Sequence, residues 1–171
     1  MTFSLDPVRA FEKPILQNLL EKYNYEFSQY DQCDVSPLGL YGYDWLDGYW
    51  TEAGRHAFFL RADGVLAGFA MVCDHFEARI NDGEYNMAEF CVLYKYRRRG
   101  AGRFMAQTLF ARFPGRWELK LHPHNLGSAA FWPAVVGEAT GGRYTVREDV
   151  PGTEYGDGTP ARFLLFDVEK R

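Results

Sequence analysis

Apolar and polar residues alternate from Thr2 to Arg9, the pattern of a half-buried strand, and Pro7 confines such a strand to a sheet edge. Pro14 suits the first turn of a helix, in which Ile15, Leu16, Leu19, Leu20 and Tyr23 fall on one face. A loop rich in Gly, Pro and Asp runs from Asp31 to Gly42. Trp45, Leu46, Tyr49 and Trp50 then predict a short second helix over Tyr43–Glu52. His56–Arg61 and Val65–Cys73 flank Ala62-Asp63-Gly64 and predict a hairpin. After a polar connection, His75–Gly83, the apolar segment Met87–Leu93 predicts a fourth strand. A helix follows from Phe104 and stops at Phe113-Pro114-Gly115. Trp117–Leu121 reads as the fifth strand, a fourth helix starts at Asn125, and Arg143–Val150 and Ala161–Val168 alternate as strands. The Gly-rich Pro151–Pro160 loop between those two is expected to form a mobile rim. The order βααβββαβαββ predicts one α/β domain over residues 1–171, with a mixed sheet and helices on both faces. Strands four and five are joined through a helix and are therefore expected to run parallel.

Composition sharpens this picture mainly by exclusion. The 171 residues carry a net charge of −4, which argues against a general nucleic-acid binder because phosphate neutralisation needs a basic surface. Cys33, Cys73 and Cys91 form neither a C-x-x-C pair nor a disulfide framework. With no leader-like N-terminus and no apolar run of membrane-spanning length, a reduced cytoplasmic setting without a membrane partner is expected.

Basic charge gathers at Tyr94-Lys95-Tyr96-Arg97-Arg98-Arg99-Gly100-Ala101-Gly102-Arg103, between the fourth strand and the third helix. A strand, a Gly-containing basic turn and a helix N-terminus together build an anion cradle: glycines permit close approach, and the first helical amides point at the ligand. It is not a Walker A loop, and Met105 stands where a dinucleotide fingerprint needs its third glycine. What remains is R-x-x-G-x-G, read at Arg97, Gly100 and Gly102. A solvated basic turn or a nucleic-acid patch is the competing reading.

Around this loop the chain resembles the GNAT superfamily of N-acetyltransferases, whose signature is [Q/R]-x-x-G-x-[G/A] at the end of the fourth strand. Glu89-Phe90-Cys91-Val92-Leu93 looks like that strand. Asn125 followed by Ser128-Ala129-Ala130-Phe131-Trp132 is similar to the family's N-x-x-A-x-x-[F/Y]-Y. The resemblance is specific from about Glu84 to Trp132 and closest to predicted acetyltransferases of unknown substrate. It implies a mostly antiparallel sheet with splayed parallel strands four and five, acetyl-CoA as cosubstrate, a small-molecule or peptide amine as acceptor, and a monomer or homodimer.

The same resemblance assigns candidate roles. Amides from Arg98 to Arg103, including Arg99 and Ala101, would bind the pyrophosphate, with Arg side chains adding charge-assisted bonds. The backbone at Cys91 and Val92 would pair with pantetheine and polarise the thioester. The Cys91 thiol itself reads as a small buried hydrophobe rather than a nucleophile. Glu89, with Glu118 as the other candidate, would be the general base that frees the amine lone pair. Trp132 stands where relatives often place an acidic tyrosine, so either Tyr94 replaces it or the thiolate leaves unassisted. Asn125 is read equally as a helix N-cap or a pantetheine partner. His122 and His124 look like half a metal site without a third ligand, so exposed loop histidines and no metal are expected. Tyr41, Tyr43 and Asp44 would help form an acceptor pocket suited to a cation, against the alternative of aromatic core and solvated acids. A CoA-binding module without turnover and a small nucleic-acid module are the other function classes.

Overall fold

The computed structural model describes residues 1–78 and 80–169. Seven strands, β1 (Phe3–Pro7), β2 (Arg55–Ala62), β3 (Val65–Cys73), β4 (Tyr85–Val92), β5 (Gly115–Leu121), β6 (Tyr144–Arg147) and β7 (Arg162–Val168), form one mixed sheet in the order β1-β2-β3-β4-β5-β7-β6. The helices are α1 (Lys13–Asp31), α2 (Gly48–Thr51), α3 (Ala101–Arg112) and α4 (Leu126–Thr140). β1 takes the edge that Pro7 demands. β2 and β3 meet through a two-residue turn in which Asp63 (φ 48°) and Gly64 (φ 80°) are both left-handed, the geometry that suits strand twist. The continuous apolar run of β3 is explained by its central position, covered on both faces.

Buried clusters cover both faces of the sheet. On one face α3 and α4 pack Met105, Leu109, Phe110, Trp132 and Val136 against Trp117, Leu119 and Leu164. On the other, Leu16, Leu19 and Leu20 of α1 and Leu46 and Tyr49 near α2 meet Phe59, Phe69, Met71 and Cys91. Two elements differ from expectation. The second helix is a single turn, Gly48–Thr51, because Tyr43–Asp47 buries Leu46 through turns rather than helical bonds. The Pro151–Pro160 loop is docked: Asp157 donates its amide to the Tyr30 carbonyl at the end of α1 (3.0 Å).

The junction that matters for function lies between β4 and β5. These strands run parallel but pair only at Tyr85↔Trp117 and Asn86↔Glu118, then diverge. A register shift between Met71 and Val72 of β3 lets Ala88 bulge from β4 just beyond that junction, and a bulge bends its strand.

Candidate active site

The divergence opens a cleft of about 1540 Å³ that runs from the β4–α3 turn, past the open side of β4, to the C-terminal half of α1. One end of it is built by the turn. Gly100 caps α3 at φ 83° and Arg98 is also left-handed at φ 59°. The first amides of α3, at Ala101, Gly102 and Arg103, have no acceptor within the helix, so they add to its partial positive end. A Cβ on Gly102 would sit 3.3 Å from the Phe131 ring, so glycine keeps this wall of the cradle thin. Arg98, Gly100, Gly102 and Arg103 line the cleft, whereas Ala101 is buried in the core and Arg99 lies outside the lining. Arg98 and Arg99 are exposed and, among the described residues, no carboxylate pairs with them; Arg103 reaches Glu138 at 2.8 Å.

Arg97 has a different job from its neighbours. Its Nε donates to the Val92 carbonyl (2.7 Å), its two terminal nitrogens grip Glu26 at 3.1 and 3.0 Å, and its guanidinium lies 4.0 Å from the Tyr94 ring centroid. Arg97 lines the cleft, with its side chain turned back to brace the end of β4 against α1. Tyr94, 74% exposed, stands outside the cleft as the other side of that stack.

Along β4 the backbone faces the opening. Leu93 donates to the Ala67 carbonyl of the chain entering β3 (2.9 Å), and Val92, Cys91 and Phe90 lie opposite Gly68, Phe69 and Ala70. Bonding alternates along an antiparallel ladder, so the amides of Phe90 and Val92 turn away from β3, toward the space that β5 has left. Phe90 and Val92 line the cleft, as does Trp132, buried and packed edge-on to Phe90 with ring centroids 4.7 Å apart. Asn125 is the N-cap of α4, its side chain accepting the Ser128 amide (3.1 Å), and it too borders the cleft. Burial pushes the Cys91 thiol up to about 11, only partly offset by Arg97, which makes it a poor nucleophile at neutral pH.

Of the two glutamates, Glu89 faces the cleft, and Tyr43 donates its hydroxyl to it at 3.0 Å. Burial pushes the Glu89 carboxyl up to about 7, while hydrogen bonds from Tyr23 and Tyr43 hold it from rising further. Glu118 is buried and outside the lining; its Oε1 accepts the amides of Ile80 (2.8 Å) and Asn81 (3.0 Å), so it anchors the β3–β4 connection. The reason is tertiary: Glu118 lies at the junction where β4 still pairs, below the opening.

Of the expected acceptor set, Tyr43 reaches the site through its bond to Glu89, without lining the cleft itself. Tyr41 gives its amide to Glu21 (2.8 Å) and Asp44 is exposed; neither lines the cleft. The end of the cleft beyond Glu89 is walled instead by Tyr23, Phe27, Tyr30 and Asp31 of α1, by Trp45, and by Tyr155 of the β6–β7 loop. His122 is buried, not an exposed loop residue. Its Nδ1 accepts the His124 amide (3.1 Å), so the proton belongs on Nε2, 3.0 Å from Asp157. His122, His124 and Asp157 do bring three ligand-type atoms within 4.8 Å of one another. That tautomer makes the His122–Asp157 contact a hydrogen bond rather than a pair of metal ligands. Tyr155 and His122 were not recognisable as site residues from sequence: Tyr155 enters on a loop that docks on α1, and His122, just after β5, is enclosed by the remote Tyr30 and Asp157.

A mixed sheet with splayed parallel strands and a helix-borne anion cradle defines the acyltransferase architecture of GNAT proteins. The sequence model of the acetyltransferase (GNAT) family matches residues 16–137, and the chain belongs to that family. Solved structures share the fold at low identity. An acetyltransferase from Thermus thermophilus superposes with a TM-score of 0.69 at 16% identity, covering 98% of both chains. A spermidine N-acetyltransferase from Vibrio cholerae, in complex with CoA and spermine, gives 0.66 at 10% identity, covering 98% of this chain and 96% of that one. An acetyltransferase from Salmonella typhimurium that modifies the N-terminal serine of ribosomal protein L7/L12 gives 0.66 at 15%, covering 99% and 96%. No protein of curated function matches the sequence.

Proposed function

We propose that this protein transfers an acetyl group from acetyl-CoA to a primary amine by direct attack in a ternary complex. The observation that carries the reading is Glu89: a carboxyl held near neutrality, facing the slot where β4 turns its amides toward an opening capped by an anion cradle. The turn from Arg98 to Arg103 would hold the pyrophosphate, and the slot would take pantetheine as an added strand. The Val92 amide, turned into the slot, would stabilise the negative charge that the thioester oxygen gains. An incoming ammonium, with an ordinary pKa near ~10.4, must lose its proton first, and Glu89 is the cleft group suited to accept it. A thiolate with a pKa near ~8.5 leaves without needing a strong acid, in keeping with Trp132 at that position. Aromatic rings beside Asp31 and Glu89 favour a cation at the acceptor end. Two of the fold relatives are named for amine acceptors, spermidine and a protein N-terminus, which supports the class of acceptor.

The test is a screen of polyamines, amino acids, aminoglycosides and peptides with acetyl-CoA, reading free thiol release beside a thermal-shift titration. Acetyl-CoA is expected to stabilise the protein and at least one cationic amine to release thiol. No stabilisation by acetyl-CoA would end this reading.

A further inference from the structure

The buried histidine has no part in that chemistry, yet its surroundings are tightly specified. His122 is 1% exposed at the end of β5, its ring stacked on Tyr30 (centroids 4.3 Å apart) and close to Tyr155 (4.6 Å). With Nδ1 occupied by the His124 amide, Nε2–H can only donate, and Asp157 Oδ2 is its acceptor. The other Asp157 oxygen accepts the Thr159 amide (2.8 Å), while Tyr155 and Thr159 close the loop tip through a backbone bond of 2.9 Å. Apart from Thr153 Oγ1 to the adjacent Val150 carbonyl, two polar bonds among the described residues tie Pro151–Pro160 to the rest of the fold: His122 to Asp157, and the Asp157 amide to Tyr30. Gly156 makes the approach possible, since a Cβ there would lie 1.7 Å from the Asp31 carbonyl oxygen. Asp157 is thus the joint, and the residue it carries into the cleft is Tyr155, over whose ring Lys120 sits at 4.4 Å.

We propose that His122 is a positioning residue for the acceptor amine: its bond to Asp157 clamps the β6–β7 loop onto α1, so that Tyr155 walls the acceptor end. This rests on the reading that the Glu89 end of the cleft receives the amine. The clamp acts on acceptor affinity rather than on the proton transfer, because neither His122 nor Asp157 bonds to Glu89. It also depends on the proton's position. His122 Nε2–H and the Thr159 amide need two acceptor oxygens, and a carboxylate supplies both; an asparagine supplies one.

Asp157→Asn, Asp157→Ala, His122→Ala and His122→Gln test this, with two readouts on each. Proteolysis reports the clamp: cleavage within residues 151–160 is expected to speed up at least tenfold in Asp157→Asn, Asp157→Ala and His122→Ala. Kinetics with spermidine, or whichever panel amine the wild-type protein acetylates, report the role. The amine KM is expected to rise about tenfold at saturating acetyl-CoA, with kcat within threefold and the acetyl-CoA KM unchanged. His122→Gln, which keeps an N–H for Asp157, is expected to restore most of the amine KM. The Asp157 variants leave the buried ring in place, so they decide the matter if His122→Ala fails to fold. Faster cleavage with an unchanged amine KM, or a kcat loss alone, overturns the positioning role while leaving the proposed function intact. A wild-type protein that acetylates no amine sinks both.

Discussion

Burial holds the Glu89 carboxyl close to neutrality, where a base can both take a proton and release it. That setting has a measurable price in stability. An ordinary glutamate ionises near 4.5, and in the fold Glu89 ionises near 7, so ionisation opposes folding. The penalty is absent below about pH 4.5, grows through the interval between these values and is complete above pH 7. Glu89→Gln removes it and still accepts the Tyr43 hydroxyl. The variant is expected to be the more stable protein at pH 8, by up to about 3 kcal/mol, with the difference vanishing near pH 4; denaturant titrations at both pH values check this. The same variant is expected to lose roughly 10²–10⁴-fold in kcat with acetyl-CoA affinity unchanged. In the wild type, kcat/KM should rise with pH through an apparent pKa near 7. A buried thiol pushed up to about 11 is no nucleophile, so Cys91→Ala should leave kcat within about twofold, and no acetyl-enzyme should be detected by mass spectrometry.

Among the elements, α3 shows how much one helix start decides. Its first turn presents free amides, and Gly102 lies against Phe131. Gly102→Asp would place a carboxylate among those amides, so acetyl-CoA should cease to stabilise the variant in a thermal-shift assay. This element was legible in the sequence because every contribution is local: the apolar strand, the R-x-x-G-x-G turn and the helical spacing lie within about thirty residues. The β2–β3 hairpin was legible for the same reason, through Asp63 and Gly64. The extent of the second helix was not, because Trp45 and Leu46 stand at spacings a helix would use but are held by turns, which leaves one helical turn with Tyr49 and Trp50. Which of Glu89 and Glu118 faces the cleft was also hidden. Both lie one residue from an apolar neighbour on their strands, and what separates them is where the sheet opens and which loop amides reach Glu118. His122 read as an exposed loop residue because Tyr30 and Asp157, which bury and orient it, are remote in sequence.

At the scale of the molecule, two half-sheets, β1 to β4 and β5 to β7, meet at two residue pairs. Arg97 ties the open end of the first half to α1 through Glu26, so the slot is held from the α1 side. Acetyl-CoA in the slot would bond the backbone of β4, and hydrogen exchange at Phe90 and Val92 should slow on its addition while that at Met71 stays unchanged. The two-pair junction has one more consequence. It leaves strand backbone unsatisfied in the middle of a sheet, where an extended segment from an unfolding neighbour could add itself and start an aggregate. Warmed without ligand, the protein should scatter light at a lower temperature than it does with acetyl-CoA, beyond the offset in unfolding midpoint. The slot proposed to receive the cosubstrate is also the place where this fold is exposed to its own kind, and the ligand would act there as a guard against self-association.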